Sequence, residues 1–118
     1  MITIYGIKNC QTVLKAINFF EDNKIEYTFW DYKKQGIDES HLEKWCSKFG
    51  WEKVLNRSGM MWRKASDEDK SKVVNQKAAI EFMLKVPTSI KRPIVEMGQS
   101  LLIGFDEDNY AKGFKTNT

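Results

Sequence analysis

Ile2-Thr-Ile-Tyr-Gly-Ile-Lys-Asn-Cys-Gln-Thr12 is the stretch that decides the fold of this chain. Its first four residues are β-branched or aromatic, which is typical of a buried strand, and Gly6 ends the run. From Val13 onward, apolar residues recur at helical spacing. The stretch therefore predicts a strand followed by a helix, with Cys10 between them.

Cys10 lies where the first turn of a helix leaves backbone N–H groups without intrahelical partners. These groups and the positive end of the helix dipole favour a thiolate over a thiol, and Lys8 would act in the same direction. A free cysteine can also be a small apolar residue that fills a core. We expect Cys10 to be reactive, because strand-to-helix loops are where α/β folds place their functional sites.

The composition is that of a globular protein and argues against several functions. The 118 residues suffice for one domain, and the net charge of +3 is too small and too dispersed to indicate nucleic-acid binding. No stretch approaches the roughly 20 apolar residues of a membrane span, and no signal pattern precedes the first strand, so we expect a cytoplasmic protein. Two distant cysteines and the lone His41 fit neither a disulfide framework nor a metal site.

Local patterns place further elements after the first helix. Residues 25–30 alternate in polarity as a second strand, and strand, helix and strand at this spacing make a βαβ unit with parallel strands. Beyond it, a helix is predicted after Asp38, followed by a short turn or half helix at 51–55 and an irregular segment at 56–63. Further helices are predicted to start at Ser66 and at Asn75, followed by strands at 90–97 and 100–105 and a segment with a helical start at Asp106. Together they indicate an α/β fold with a mostly helical middle.

Three other residues have both a structural and a functional interpretation. Cys46 lies on the apolar stripe of its helix and is interpreted as structural, since a resolving role would require it to approach Cys10. Arg57 and Arg63 are either solvated side chains or an anion clamp, because guanidinium groups bind carboxylates and oxyanions through two bonds at once. The sequence favours neither interpretation of the arginines.

Several short motifs together span nearly the whole chain. They are Tyr5-Gly-Ile-Lys-Asn-Cys10-Gln-Thr-Val-Leu-Lys-Ala16, Asp31-Tyr-Lys-Lys34, Leu55-Asn-Arg57-Ser-Gly, Trp62-Arg-Lys64, Ile90-Lys-Arg-Pro-Ile-Val95 and Ile103-Gly-Phe105. In this order they resemble the arsenate reductase (ArsC) family, and within it the YffB-type branch, which is similar to the Spx and MgsR regulators.

The resemblance implies a thioredoxin-like fold, with a four-stranded mixed sheet and helices. The chain would form a single domain, residues 1–118, interrupted by a helical insert at approximately 37–86. The Arg92-Pro93 peptide bond, beside the active site of this fold, is expected to be cis.

The same resemblance assigns the site residues. Cys10 would be the catalytic cysteine, and Arg57 and Arg92 match the anion-binding arginines of the family. We expect the residues that flank the cysteine to assist in binding the anion; these are Lys8, Asn9 and Thr12. No bound cofactor is implied, and glutathione is the expected co-substrate.

Two departures from the family pattern bear on activity. Arsenate reductases carry His-Asn-Pro before the cysteine and a third arginine near the last strand, whereas this chain has Gly6-Ile-Lys-Asn9 and Gly104-Phe-Asp-Glu107. Redox switches of the Spx type carry a second cysteine three residues after the first, where this chain has Val13. A local disulfide is therefore excluded.

These features give three hypotheses for function. The leading one is a glutathione-dependent thiol reductase in which Cys10 forms a mixed disulfide that glutathione resolves. The alternatives are a glutaredoxin-dependent arsenate reductase and an Spx-like regulator that binds RNA polymerase. The expected partners are glutathione or a thiol or disulfide substrate, with no nucleic acid and no membrane. A monomer is expected, although the sequence does not determine the oligomeric state.

Overall fold

A four-stranded mixed sheet organises the first part of the structure. The computed structural model describes residues 2–98 and 100–117, with side chains up to Lys112. The strands are β1 (Ile2–Gly6), β2 (Thr28–Asp31), β3 (Ile94–Met97) and β4 (Ser100–Ile103), in the order β2-β1-β3-β4. β1 is parallel to β2 and antiparallel to β3, and β3 is antiparallel to β4. This is the thioredoxin-like sheet that was predicted.

The helices follow the predicted order with two additions. They are α1 (Gln11–Asp22), α2 (Tyr32–Gln35), α3 (Glu39–Phe49), α4 (Trp51–Val54), α5 (Met60–Lys64), α6 (Asp67–Lys72), α7 (Gln76–Lys85), a 3-10 turn at Pro87–Ser89 and α8 (Glu107–Asn117). The two additions are α2, in a segment predicted only as polar, and α5, within the segment predicted as irregular. No helix of the described residues is long and apolar enough to cross a membrane.

Contacts divide the chain into two compact units, one formed by Met1–Tyr32 with Arg92–Thr118 and the other by Lys33–Lys91. The second unit is longer at both ends than the insert expected at 37–86. At its C-terminal end the reason is backbone hydrogen bonding, since the Lys91 N–H donates to the Val54 carbonyl at 2.7 Å and the Asn56 N–H to Ser89 at 2.8 Å. These bonds hold the residues after Pro87 to the helical unit.

The core of the first unit lies between the sheet and helices α1 and α8. Its buried members are Ile4, Ala16, Phe20, Val95, Met97 and Tyr110. Burial of aliphatic and aromatic side chains contributes roughly 1.5–3 kcal/mol each, which fixes the face of β1 that packs against α1. The start of α1, and with it Cys10, is thereby held at the end of β1.

The second unit has its own apolar core and well-defined helix caps. The caps are Asp38, Ser66 and Asn75, whose side chains accept the backbone N–H three residues later at 2.9, 3.1 and 2.9 Å. α3 ends at Gly50, whose φ of 87° favours glycine. Buried members of this core include Leu42, Trp45, Cys46, Val54, Ala79 and Met83.

Three predicted strands are shorter than expected: β4 ends at Ile103 instead of residue 105, and β2 and β3 start later than predicted. β2 was predicted to start at Ile25, but the Ile25 N–H donates to the Phe20 carbonyl at 2.8 Å and closes the end of α1. β3 was predicted to start at Ile90, which instead forms an isolated bridge with Leu55. In both places the backbone groups are bonded outside the sheet. Gln99, in the predicted turn between β3 and β4, lies outside the described residues.

Candidate active site

Cys10 is the N-cap residue of α1, with an extended backbone (φ −111°, ψ 124°). It follows the turn after β1 and is partly exposed. Gly6 allows this geometry, because a Cβ at Gly6 would lie 2.7 Å from Cγ2 of Val13. The absence of a side chain at Gly6 lets the first turn of α1 approach the strand end.

The environment of Cys10 lowers the pKa of its thiol below the ordinary value. Partial burial acts to raise this pKa, but it is outweighed by the backbone N–H groups of Val13 and Thr12, which donate to the sulfur, and by Arg92. The Arg92 guanidinium contributes both its charge and a hydrogen bond. The site therefore favours the thiolate, which is the nucleophilic form of cysteine.

The structure brings Arg92 to the cysteine and places the flanking residues around it. The Arg92-Pro93 bond is cis, the isomer that the resemblance implies. Thr12 contributes its backbone N–H, whereas Lys8 and Asn9 are exposed in the turn before Cys10. The cation that lowers the pKa of Cys10 is thus Arg92, and substrate binding by Lys8 and Asn9 stays a prediction.

The two arginines of the second unit are both exposed. Arg63 donates from Nη2 to the Ser58 carbonyl at 2.7 Å, so it stabilises the turn before α5. The Arg57 guanidinium carbon lies 5.7 Å from the centre of the Trp51 ring, a cation–π contact. This favours the structural interpretation of Arg63, while anion binding by Arg57 stays a prediction.

Cys46 has the opposite character from Cys10. It is buried on α3 next to Trp45, and burial raises the pKa of its thiol to about 11. A thiol with this pKa is almost entirely protonated at neutral pH and is a poor nucleophile. The structural interpretation of Cys46 agrees with its surroundings.

Three polar side chains of the first unit had no predicted role. They are Tyr5, Tyr32 and Glu96. Tyr5 donates to Oε1 of Glu96 at 2.6 Å, although the two residues are 91 positions apart. For Tyr32 the available signal was the Asp31-Tyr32 pair, which belongs to one of the matched motifs. The hydrogen bond between Tyr5 and Glu96 has no local signature, because the two residues are far apart in the sequence. Within the described residues, no group of three or more His, Cys, Asp or Glu side chains could hold a metal ion.

The fold and the site define a thioredoxin-like protein with one cysteine at the N-terminus of its first helix. The chain belongs to the ArsC family, whose pattern it matches over residues 5–113. Among curated proteins, one from Haemophilus influenzae is 38% identical over 114 residues, covering 97% of this chain and 99% of the relative. YusI of Bacillus subtilis is 25% identical over 115 residues, covering 96% and 98%.

Two solved structures combine high sequence identity with the same fold. The YFFB protein is 44% identical and superposes with a TM-score of 0.91, covering 95% of this chain and 97% of its own. An arsenate reductase (ArsC) related protein from Brucella melitensis is 43% identical with a TM-score of 0.72, covering 97% and 94%. The family assignment and the thioredoxin-like fold made from the sequence are both confirmed.

The role of Arg92 gives a direct prediction. In Arg92→Met, loss of the cation is expected to move the titration midpoint of Cys10 upward and to slow alkylation of Cys10 at neutral pH by roughly three- to tenfold. The test is to measure alkylation rates across a pH series. All the proteins compared carry Cys46→Ala, so that Cys10 is the cysteine that reacts. The matched control is Arg63→Met, which removes an exposed arginine and should leave the profile unchanged. An unchanged profile in Arg92→Met would show that Arg92 does not stabilise the thiolate.

Proposed function

We propose that this protein is a glutathione-dependent thiol reductase that works through Cys10 alone. The observation that carries the proposal is the position of the Cys10 sulfur at the N-terminus of α1, where two backbone N–H groups and Arg92 lower its pKa. Membership of the ArsC family supports thiol chemistry at this position. The reaction requires a thiolate that solvent can reach, and the lowered pKa and partial exposure of Cys10 both favour it.

In the proposed reaction, the Cys10 thiolate attacks the glutathione sulfur of a glutathionylated thiol. The S–S bond breaks, the substrate sulfur leaves as a thiolate and takes a proton, and Cys10 is left in a mixed disulfide with glutathione. The thiolate of a second glutathione attacks that disulfide. Cys10 is released as a thiolate, and the two electrons that reduced the substrate are balanced by formation of glutathione disulfide.

External resolution of the mixed disulfide follows from the surroundings of Cys10. Val13 stands where a neighbouring resolving cysteine would be, and Cys46 is held as a protonated, buried thiol. A dissolved thiol must therefore complete the cycle. Arg92, Lys8 and the α1 N-terminus supply positive charge, and we propose that they, with Asn9 and Thr12, bind the carboxylates of glutathione.

Mass spectrometry after treatment with glutathione disulfide tests this proposal. One glutathione is expected on Cys10 and none on Cys46, and excess reduced glutathione should remove the adduct. The matched assay is reduction of a glutathionylated peptide, with release of the free peptide thiol as readout. A wild-type protein that takes up no glutathione on Cys10, or whose adduct survives excess glutathione, would contradict the proposal.

Arsenate reduction is a second candidate function. It is favoured by the 43% identity to an arsenate reductase-related protein and by the Arg92 guanidinium, which could stabilise an oxyanion bound at Cys10. In this reaction the Cys10 thiolate would form a bond to the arsenic centre as one arsenate oxygen leaves as water. A glutathione thiolate would then attack the Cys10 sulfur, so that the sulfur–arsenic bond breaks, its electron pair reduces the arsenic and arsenite leaves. A second glutathione would release Cys10 as a thiolate, with glutathione disulfide as the oxidised product. Incubation with arsenate, glutathione and glutaredoxin, with arsenite as the measured product, separates it from disulfide reduction. No arsenite above the Cys10→Ser background would exclude it.

A further inference from the structure

The backbone conformation of Gly6, the last residue of β1, does not require a glycine. The glycines with a positive φ are Gly36, Gly50, Gly98 and Gly104, and Gly6 is not among them. An alanine could therefore adopt the backbone conformation of Gly6. What opposes a side chain here is contact, since a Cβ on Gly6 would lie 2.7 Å from Cγ2 of Val13, whereas ordinary carbon–carbon contacts are about 3.5–4.0 Å.

Val13 fills the space beside Gly6, and its side chain cannot easily turn away. The side chain is fully buried. It is also β-branched, so one χ1 rotamer is strongly preferred in a helix. Its Cγ1 and Cβ atoms lie 3.5 and 3.7 Å from the position that a Cβ on Gly6 would take. The first turn of α1 therefore rests directly on the backbone at the end of the strand.

The backbone of Val13 also acts on the reactive sulfur. Cys10 is the N-cap of α1, so the helix leaves the N–H of Val13 without a carbonyl partner, at a position from which N-cap side chains accept hydrogen bonds. The N–H groups of Val13 and Thr12 both lower the pKa of the Cys10 thiol. The Leu14 N–H, by contrast, donates to the Cys10 carbonyl at 3.0 Å and belongs to the helix. One residue thus connects the strand end, through its side chain, with the sulfur, through its N–H.

We propose that Val13 is a positioning residue, whose side chain, packed on the backbone of Gly6, sets the distance between the first turn of α1 and the Cys10 sulfur. The inference rests on the proposed function, because the thiolate that it concerns is the nucleophile of that reaction. An N–H group stabilises a thiolate only when it points at the sulfur from hydrogen-bonding distance, so a small shift of the helix start weakens the effect. Val13 then does more than occupy the place of a resolving cysteine, because it keeps Cys10 reactive.

Three variants separate this role from ordinary packing. In Gly6→Ala the new methyl group should push the first turn of α1 away, so the titration midpoint of Cys10 should rise and alkylation at a pH below the midpoint should slow about threefold. In Val13→Ala the turn loses its support, and the midpoint should also rise. In the double variant the two Cβ atoms would lie 3.7 Å apart, an ordinary contact, so the alkylation rate should return to within about twofold of wild type.

Phe20 provides the matched control for packing. It is fully buried on the same helix, about 15 Å along the helix axis from Cys10. Phe20→Leu should lower the free energy of unfolding, as other losses of buried volume do, and leave the Cys10 titration unchanged. A midpoint that rises in Phe20→Leu as it does in Val13→Ala would assign both shifts to general loosening of the core and would overturn the proposal.

The ultraviolet absorbance of the thiolate, followed with pH in proteins that all carry Cys46→Ala, measures the midpoint without any substrate. Raised midpoints in both single variants and recovery in the double variant support the proposal. An unchanged midpoint in Val13→Ala, or a shift in the double variant as large as the two single shifts together, overturns it. If Gly6→Ala does not fold, the midpoint of Val13→Ala decides alone. Since no glutathione is present, the expected pattern in a protein that takes up no glutathione would contradict only the proposed function.

Discussion

Replacing Cys10 with serine is expected to abolish glutathione-dependent disulfide reduction, with a loss on the order of a thousandfold or more. A serine hydroxyl at this position is not ionised at neutral pH and cannot form a disulfide, so both steps of the proposed cycle are lost. Release of free thiol from a glutathionylated peptide, measured at fixed glutathione concentration, is the assay.

Cys46→Ala is the matched control for this loss. It also removes one thiol, but a buried one whose pKa is raised to about 11, so the activity should stay within about twofold of wild type. Circular dichroism of both variants should show the wild-type fold. If Cys46→Ala lost activity as Cys10→Ser does, a two-cysteine mechanism would replace the one proposed here.

Tyr110→Ala is expected to lower the free energy of unfolding by about 3–5 kcal/mol, as large-to-small changes of buried aromatic residues do. Tyr110 is fully buried, and its ring centre lies 4.8 Å from that of Phe105, 5.6 Å from Phe19 and 5.9 Å from Phe20. Its hydroxyl donates to the Gly104 carbonyl at 2.6 Å. Urea titration followed by tryptophan fluorescence measures the change.

The effect of Tyr110 is expected to extend to the candidate site. The Gly104 N–H donates to the Pro93 carbonyl at 2.8 Å, so Tyr110 supports the segment that carries Arg92. Tyr110→Phe is the matched control, because it keeps the ring and loses only the hydroxyl bond, for about 1 kcal/mol. A loss in Tyr110→Ala no larger than in Tyr110→Phe would show that the aromatic packing does not stabilise this unit.

Much of the local structure could be predicted from the sequence, because it depends on residues a few positions apart. The strand before Gly6, the helix after Cys10 and the capping roles of Asp38, Ser66 and Asn75 all use contacts within one helical turn. The reactivity expected of Cys10 could also be predicted from residues a few positions away. Its main support is the set of N–H groups in the next turn of chain.

The strand limits could not be predicted in the same way. Ile25 has the residue type of a strand, but its N–H is bonded to the end of α1, and Ile90 pairs with Leu55 instead of with the sheet. α5 was missed because five residues with no buried side chain give no periodic signal. For both strands, hydrogen bonds to residues outside the segment decided where the strand begins.

The sequence by itself determined the strand–cysteine–helix unit and, through its resemblance to a family, the identity of Arg92 as a partner of Cys10. Only the tertiary structure brought together Tyr5 and Glu96, which are 91 positions apart, and placed the Tyr32 hydroxyl in the field of Arg92. The physical reason is the distance along the chain between the residues that interact. Caps and helix ends are satisfied by neighbours in the chain, whereas contacts between residues far apart in the sequence depend on which strands pair and in what register.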